Sequence, residues 1–440
     1  MGTKLATPVA EPRPAPAPAE KRPGTERLMT LDAYRGFTML LMVSSGLAMG
    51  HLLNAQLPPS PANQALLVAA DQLRHREWDM TFADHAGFPY WHDGAFHEGT
   101  GCTPWDLIQP SFMFIVGAAM PFAFAVRQSR GASWGRQLLH AARRSVLLIL
   151  VGVFLDTYSE RFLSVSMIRV LQQIAVGYFL AFLVLHLRPR WQAAAAVLCL
   201  VVHTLAYFVY GWATGNNPCD QIHNVGWAID GVLHQVFSLG GRYPTIMPHP
   251  QHLYVNFNAI SSTATILFGV LAGELLRKDW PAARKLLILA VAGVAGIALG
   301  LGLSYVVPIN KKIWTSSFTL FAGGCTLLLL LAFYAVIDVL RLRRWAFPFV
   351  VVGMNSIAIY VMAGTLASVI RRAWQAFLGW PTDGSVQAVP RCLESLHTLF
   401  GWPSPAAAAL AAPILLAVLV MAGEWLVCLW LYRRRIFFKV

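Results

Sequence analysis

Two stretches of the sequence carry side chains that could do chemistry at a membrane surface. In the first, His97-Glu-Gly-Thr-Gly-Cys-Thr-Pro-Trp-Asp-Leu-Ile-Gln-Pro-Ser111, a His- and Gly-rich loop runs into an apolar helix, with Asp106 and Gln109 at the helix mouth. An imidazole beside a membrane entrance suits a general base working near neutral pH, which makes His97 the candidate base. Asp106 reads in two ways. It is an N-terminal cap favoured by the helix dipole, or the carboxylate that orients the histidine as the third group of a triad does.

The second stretch, Pro308-Ile-Asn-Lys-Lys-Ile-Trp-Thr-Ser-Ser-Phe318, sets Asn310, Lys311, Trp314 and a run of hydroxyls at another helix mouth. Trp and Lys at such a position anchor a helix at the interface; the alternative is a wall of an acceptor or acyl pocket. His75, His85 and His92 precede His97 among Asp84, Asp93 and Glu98. Their spacing fits no metal motif, so these three read as solvated loop histidines and no metal is expected.

The elements that must position these groups are transmembrane helices. Of 440 residues 56% are hydrophobic and 12% charged, with a mean hydropathy of +0.54, against about 25% charge in soluble domains. The net charge of +13 comes from short basic clusters at the ends of apolar runs, the pattern of cytoplasmic loops rather than of a nucleic-acid surface. The six cysteines follow no zinc spacing, and Cys219 and Cys392 would pair only if both faced an oxidising compartment.

Ten apolar runs approach the roughly 20 residues a spanning helix needs, at about 35–55, 105–127, 143–160, 167–187, 191–212, 253–276, 284–307, 314–340, 346–370 and 405–432. The third is the shortest. Alternating the runs puts 24 of the 34 Lys and Arg on one side and 10 on the other, which predicts that both termini are cytoplasmic. Residues 56–104, 213–252 and 371–404 then form outer loops, while the Pro/Ala-rich residues 1–26 read as a disordered cytoplasmic tail rather than a signal peptide.

The expected fold is all-α, a polytopic bundle with residues 27–440 as one domain. No pair of Gly/Pro-broken helices stands out in corresponding halves, which weighs against a secondary transporter. Gly293, Gly296, Gly300 and Gly302 suit close helix packing. Asp156, Arg169, Gln172, Gln173, Asn355 and Glu424 lie within runs, where polar groups face a cavity or a partner. Glu274 and Asp338 read as snorkelling or locally paired, and Asn355 with Ser356 as lining a cavity.

Arg27-Leu-Met-Thr-Leu-Asp-Ala-Tyr-Arg-Gly36, Trp105-Asp-Leu-Ile-Gln-Pro-Ser-Phe-Met-Phe-Ile-Val-Gly117, Pro308 to Ser317, Gly353-Met-Asn-Ser-Ile357 and Tyr432-Arg-Arg-Arg-Ile-Phe-Phe-Lys439 resemble, in matching order, the heparan-alpha-glucosaminide N-acetyltransferase family, most closely its bacterial members carried as a domain of unknown function. The resemblance implies an acyltransferase of the bacterial inner membrane that takes acetyl from cytosolic acetyl-CoA and delivers it to an amino sugar on the far side, as a possible homodimer. It implies His97 and Asp106 as the catalytic pair. The donor site would draw on Ser45, Gln109, Asn310, Lys311, Trp314, Asn355 and Ser356. Two departures stand out: the loop 97–101 is one residue short of the family pattern, and Ser45 falls where the family has an asparagine. A transporter or carrier of glycans, or a glycan-binding relative without catalysis, is the alternative.

Overall fold

The computed structural model describes residues 28–438, apart from 55–56, 58–59, 76–100, 161–162, 164, 166, 221, 238–253, 381–389 and 401–404. His97, His85, His92 and the tail of residues 1–26 lie outside the described residues. The described chain is helical, in the order α1 (Met29–Val43), α2 (Pro61–Gln72), α3 (Ile108–Ser129), α4 (Trp134–Glu160), α5 (Val170–Val184), α6 (Pro189–Thr214), α7 (Val225–Phe237), α8 (Asn258–Arg277), α9 (Ala282–Leu303), α10 (Ser316–Tyr334), α11 (Phe347–Met354), α12 (Ser356–Thr365), α13 (Ala367–Phe377), α14 (Arg391–Phe400) and α15 (Pro405–Arg433).

Among the described residues 7 helices are long and apolar enough to cross a membrane, up to 9 if each of two bent pairs is one span, and α5 is a shorter apolar helix. Together these account for the ten apolar runs, and the protein is an integral membrane protein. The short run is the fourth and not the third: α4 extends back to Trp134 and spans 27 residues, while α5 has 15. The basic segment Trp134–Arg144 continues the helix beyond its apolar part, which hydropathy alone does not report. The three long stretches expected to lie outside contain helices of their own, α2, α7 and α14.

α8 lies at the centre of the bundle. Gly117 of α3 faces the Ile266 carbonyl of α8, and Gly269 and Gly273 face the Phe114 and Ala118 carbonyls of α3; a Cβ at any of the three would sit 2.0–2.3 Å from an oxygen. Small residues thus let the two backbones touch, the packing mode of helices in lipid. Gly293, Gly296 and Gly300 do the same between α9 and α10, whereas Gly302 faces open space.

Two helices are broken. α1 turns by 44° into Ser45–Leu53 and α11 by 68° into α12, bends that lie within apolar runs continuous in the sequence. Neither break carries a proline: the first is a left-handed turn at Ser45, Gly46, Leu47 and Ala48 with φ of 48–62°, the second an interruption at Asn355. The two broken helices cross where Gly36 meets Gly353. They are the first and ninth runs, not corresponding members of two halves.

One end of the bundle joins the start of α1 to the end of α10, through Thr30 Oγ1 donating to Asp338 Oδ2 at 2.5 Å, and carries most of the basic clusters. The other joins the mouths of α3, α8 and α10. Glu274 and Asp338 face Arg277 at 3.5 Å and Arg343 at 4.0 Å, the local pairing read from the sequence. Cys219 and Cys392 are free thiols.

Candidate functional site

The site forms where three chain segments meet at the mouth of α3. Thr103 caps the short helical turn Pro104–Leu107: its hydroxyl accepts from the Asp106 N–H at 3.3 Å, and Asp106 Oδ2 accepts from the Thr103 N–H at 3.2 Å. This reciprocal box satisfies donors that a helix start leaves open. Asp106 is 2% exposed, and the box leaves Oδ1 for another partner.

That partner is His75. Its Nδ1 lies 2.7 Å from Asp106 Oδ1, while Thr103 Oγ1 donates to the Arg74 carbonyl at 2.9 Å and fixes the end of α2 beside the cap. His75, with its side chain 47% exposed, is therefore open to solvent on one side and held by Asp106 on the other. The cap is thus present, and the other carboxylate oxygen meets the imidazole of His75 rather than that of His97, which lies outside the described residues. The sequence missed His75 because the chain from 76 to 100 intervenes; the one signal available was a histidine following a capped helix, Ser60 to Gln72.

The third segment is 308–317. Gly101 N–H donates to the Ile309 carbonyl at 3.0 Å, and Lys311 Nζ reaches Asp106 Oδ1 at 3.5 Å and His75 Nδ1 at 3.2 Å. Nδ1 cannot donate to Asp106 and accept from Lys311 together. The shorter contact assigns the proton to Nδ1, with Lys311 directing its charge at the carboxylate. Lys311 is 8% exposed and Trp314 fully buried, so neither is an interfacial anchor, and Lys311 walls the Asp106 cluster. Burial lowers the Lys311 pKa below its ordinary value, with Asp106 opposing that shift.

Asn310 shapes this wall rather than facing a ligand: its Oδ1 accepts from the Lys312 N–H at 2.8 Å. Trp314 takes a left-handed φ of 49°, and its carbonyl accepts from Ser261 Oγ at 2.7 Å. Its indole N–H, with Ser262 and Thr265 of α8, is buried without a protein partner. Cys102 adjoins the site, yet burial and the nearby Asp106 push its thiol pKa well up. It stays protonated, unlike a nucleophilic cysteine.

Gln109 faces inward, donating to Gln173 at 2.8 Å. Beyond it Asp156 meets Arg169 at 3.0 Å and Gln172 at 3.0 Å, so these polar groups are paired, whereas both carboxylate oxygens of Glu424 are buried without a hydrogen-bond partner. Ser45 sits on the broken end of α1, exposed, and the adjacent Gly46 packs against the Leu73 carbonyl, two residues before His75. Asn355 and Ser356 stand apart, at the second break. The side-chain Oδ1 of Asn355 accepts from the Phe438 N–H at 3.3 Å, and its Nδ2 is buried without a partner.

Residues 80–219 match a family described as a domain of unknown function, DUF5009. Heparan-alpha-glucosaminide N-acetyltransferase of Homo sapiens is 27% identical over 343 residues, 64% of this chain and 50% of that protein. The Mus musculus protein of the same name is 24% identical over 414 residues, 81% of this chain and 56% of its own. The chain is similar to these heparan-alpha-glucosaminide N-acetyltransferases at low identity. It spans about half the length of these relatives. The domain-of-unknown-function match covers the approach to the cap, the cap itself and helices α3 to α6, which contain Asp106, Gln109 and Gln173.

Proposed function

We propose that this chain is an acyltransferase of the bacterial cytoplasmic membrane that passes an acetyl group from acetyl-CoA to an amino or hydroxyl group of a sugar at the outer end of the bundle. The observation that carries this reading is the buried Asp106 carboxylate held between His75 and Lys311. The relatives' name supports the reaction class.

Asp106 accepting from Nδ1–H fixes the tautomer of His75 and leaves Nε2 as the basic atom, the division of labour of a triad. Nε2 takes the proton from the sugar nitrogen or oxygen as it attacks. Lys311 balances the carboxylate in a poorly solvated site, so that Asp106 acts as an anion. His97, matched by the family resemblance, is the second candidate for the base.

For the donor, the fitting observation is the unpartnered Asn355 Nδ2 together with the turn that exposes Ser45. These would hold the pantetheine arm, and Arg433, Arg434 and Arg435 lie at the basic end for its phosphates. The thioester supplies an already activated acetyl carbon; the chain then has to add proximity and a base.

The test is acetyl-CoA binding to the detergent-purified protein, followed by thiol release when a panel of amino sugars is added. Binding with sugar-dependent release supports the transferase. The two broken helices favour one other reading, a carrier of glycans, which predicts solute movement without acetyl-CoA. Movement of that kind with no binding of acetyl-CoA sinks the transferase.

A further inference from the structure

α9 packs on α10 through Gly293, Gly296 and Gly300, and beside that contact α8, α9 and α10 wall a cavity of about 470 Å³. Phe268, Leu275, Leu289, Ala295, Leu299 and Leu327 are among its lining residues. The lining runs from Phe268 to Lys278 along α8 and from Ile288 to Leu299 along α9, each about 15 Å of helix at about 1.5 Å per residue. That is about half of the roughly 30 Å hydrocarbon core, the depth of one leaflet.

The end of the cavity is cationic. Lys278 and Trp280 line it; Lys278 Nζ lies 4.1 Å and the Arg284 guanidinium 3.9 Å from the Trp280 ring. Pro189, also in the lining, is flanked by Arg188 and Arg190. The acids at this end each have a cation nearby, Glu274 with Arg277 at 3.5 Å and Asp279 with Lys285. An apolar slot one leaflet deep, closed by a Trp between two cations, has the charge and shape of a lipid site.

We propose that this cavity binds one anionic phospholipid of the leaflet at the basic end, with an acyl chain between α8 and α9 and the phosphate at Lys278 and Arg284. None of its lining residues belongs to the Asp106 cluster, so the site stands independently of the transferase reading.

The experiment is native mass spectrometry of the full chain, delipidated in detergent and titrated with dioleoylphosphatidylglycerol or dioleoylphosphatidylcholine. The first phosphatidylglycerol adduct is expected to survive activation that strips phosphatidylcholine, at about tenfold higher occupancy. The Lys278→Glu/Arg284→Glu protein should lose that preference. Ala295→Trp, which fills the cavity from an exposed helix face, should lose the retained adduct with the charges intact. Equal retention of the two lipids, or a phosphatidylglycerol adduct unchanged in both variants, would overturn the proposal.

Discussion

Asp106 Oδ1 and His75 Nδ1 lie 2.7 Å apart although 31 residues separate them in sequence. The contact depends on Thr103, whose hydroxyl binds the Arg74 carbonyl at 2.9 Å and whose backbone N–H occupies the other Asp106 oxygen. The same threonine therefore builds the helix start and delivers the histidine.

Asp106→Asn separates these two duties. The amide oxygen can still cap, so the cap itself should lose no more than about 1 kcal/mol, with a further loss from the buried Lys311 left without its counter-charge, while the charge that stabilises His75 as it takes a proton is gone. Acetyl transfer should fall about 100-fold or more, the scale of general-base catalysis. Thermal melting alongside initial rates measures both; a protein that no longer folds would leave the cap as the role of Asp106.

Lys311→Met tests the cation behind the carboxylate. Because burial lowers the Lys311 pKa, the unfolded chain binds the proton more strongly. Stability gained from this group should rise as pH climbs from the folded pKa toward the usual 10.5. Removing Lys311 should flatten that alkaline rise, and a double-mutant cycle with Asp106→Asn should return a coupling of about 1 kcal/mol or more. An unchanged pH slope would contradict the burial argument.

Much of this was legible beforehand, for specific reasons. The ten runs, the glycine seam at Gly293, Gly296 and Gly300, and the local pairing of Glu274 and Asp338 follow from hydropathy and spacing, which are local. Asp106 was visible because a cap sits within three residues of its partner, Thr103. His75 was not, because its partner is reached through tertiary contact. The helix breaks were missed because they are made by backbone conformation at Ser45 to Ala48 and at Asn355, without proline. For Trp314 and Lys311 burial, which a sequence does not show, argues against the anchoring role.

The crossing of the two broken helices gives a packing prediction. A Cβ on Gly36 would lie 1.7 Å from the Phe349 carbonyl oxygen and one on Gly353 1.8 Å from that of Asp32, and backbone cannot move aside as a side chain can. Gly36→Ala and Gly353→Ala should each cost about 3 kcal/mol or more, whereas Gly302→Ala, facing open space, should be neutral or slightly stabilising. Thermal melting in detergent distinguishes them.

Asp230 of α7 supplies a pH dependence away from the catalytic cluster. Burial pushes its pKa up to about 6 against the hydrogen bonds it accepts from Asn256. The folded state then holds a proton that the unfolded chain releases near 4, so this contribution to stability is fully present below about pH 4 and is lost as pH rises through 6. Asp230→Asn should remove that slope; melting curves between pH 4.5 and pH 7.5, with no difference in slope between the two proteins, would refute it.

The central claim is that a histidine held by Asp106 is the base for acetyl transfer, and the most direct measurement is the initial rate of amino-sugar-dependent thiol release from acetyl-CoA by wild type, His75→Ala and His97→Ala. The account predicts release by the wild type and its loss, about 100-fold or more, in His75→Ala with acetyl-CoA binding retained. Full activity in His75→Ala together with loss in His97→Ala would contradict the geometry and return the role to the histidine that the family resemblance marks.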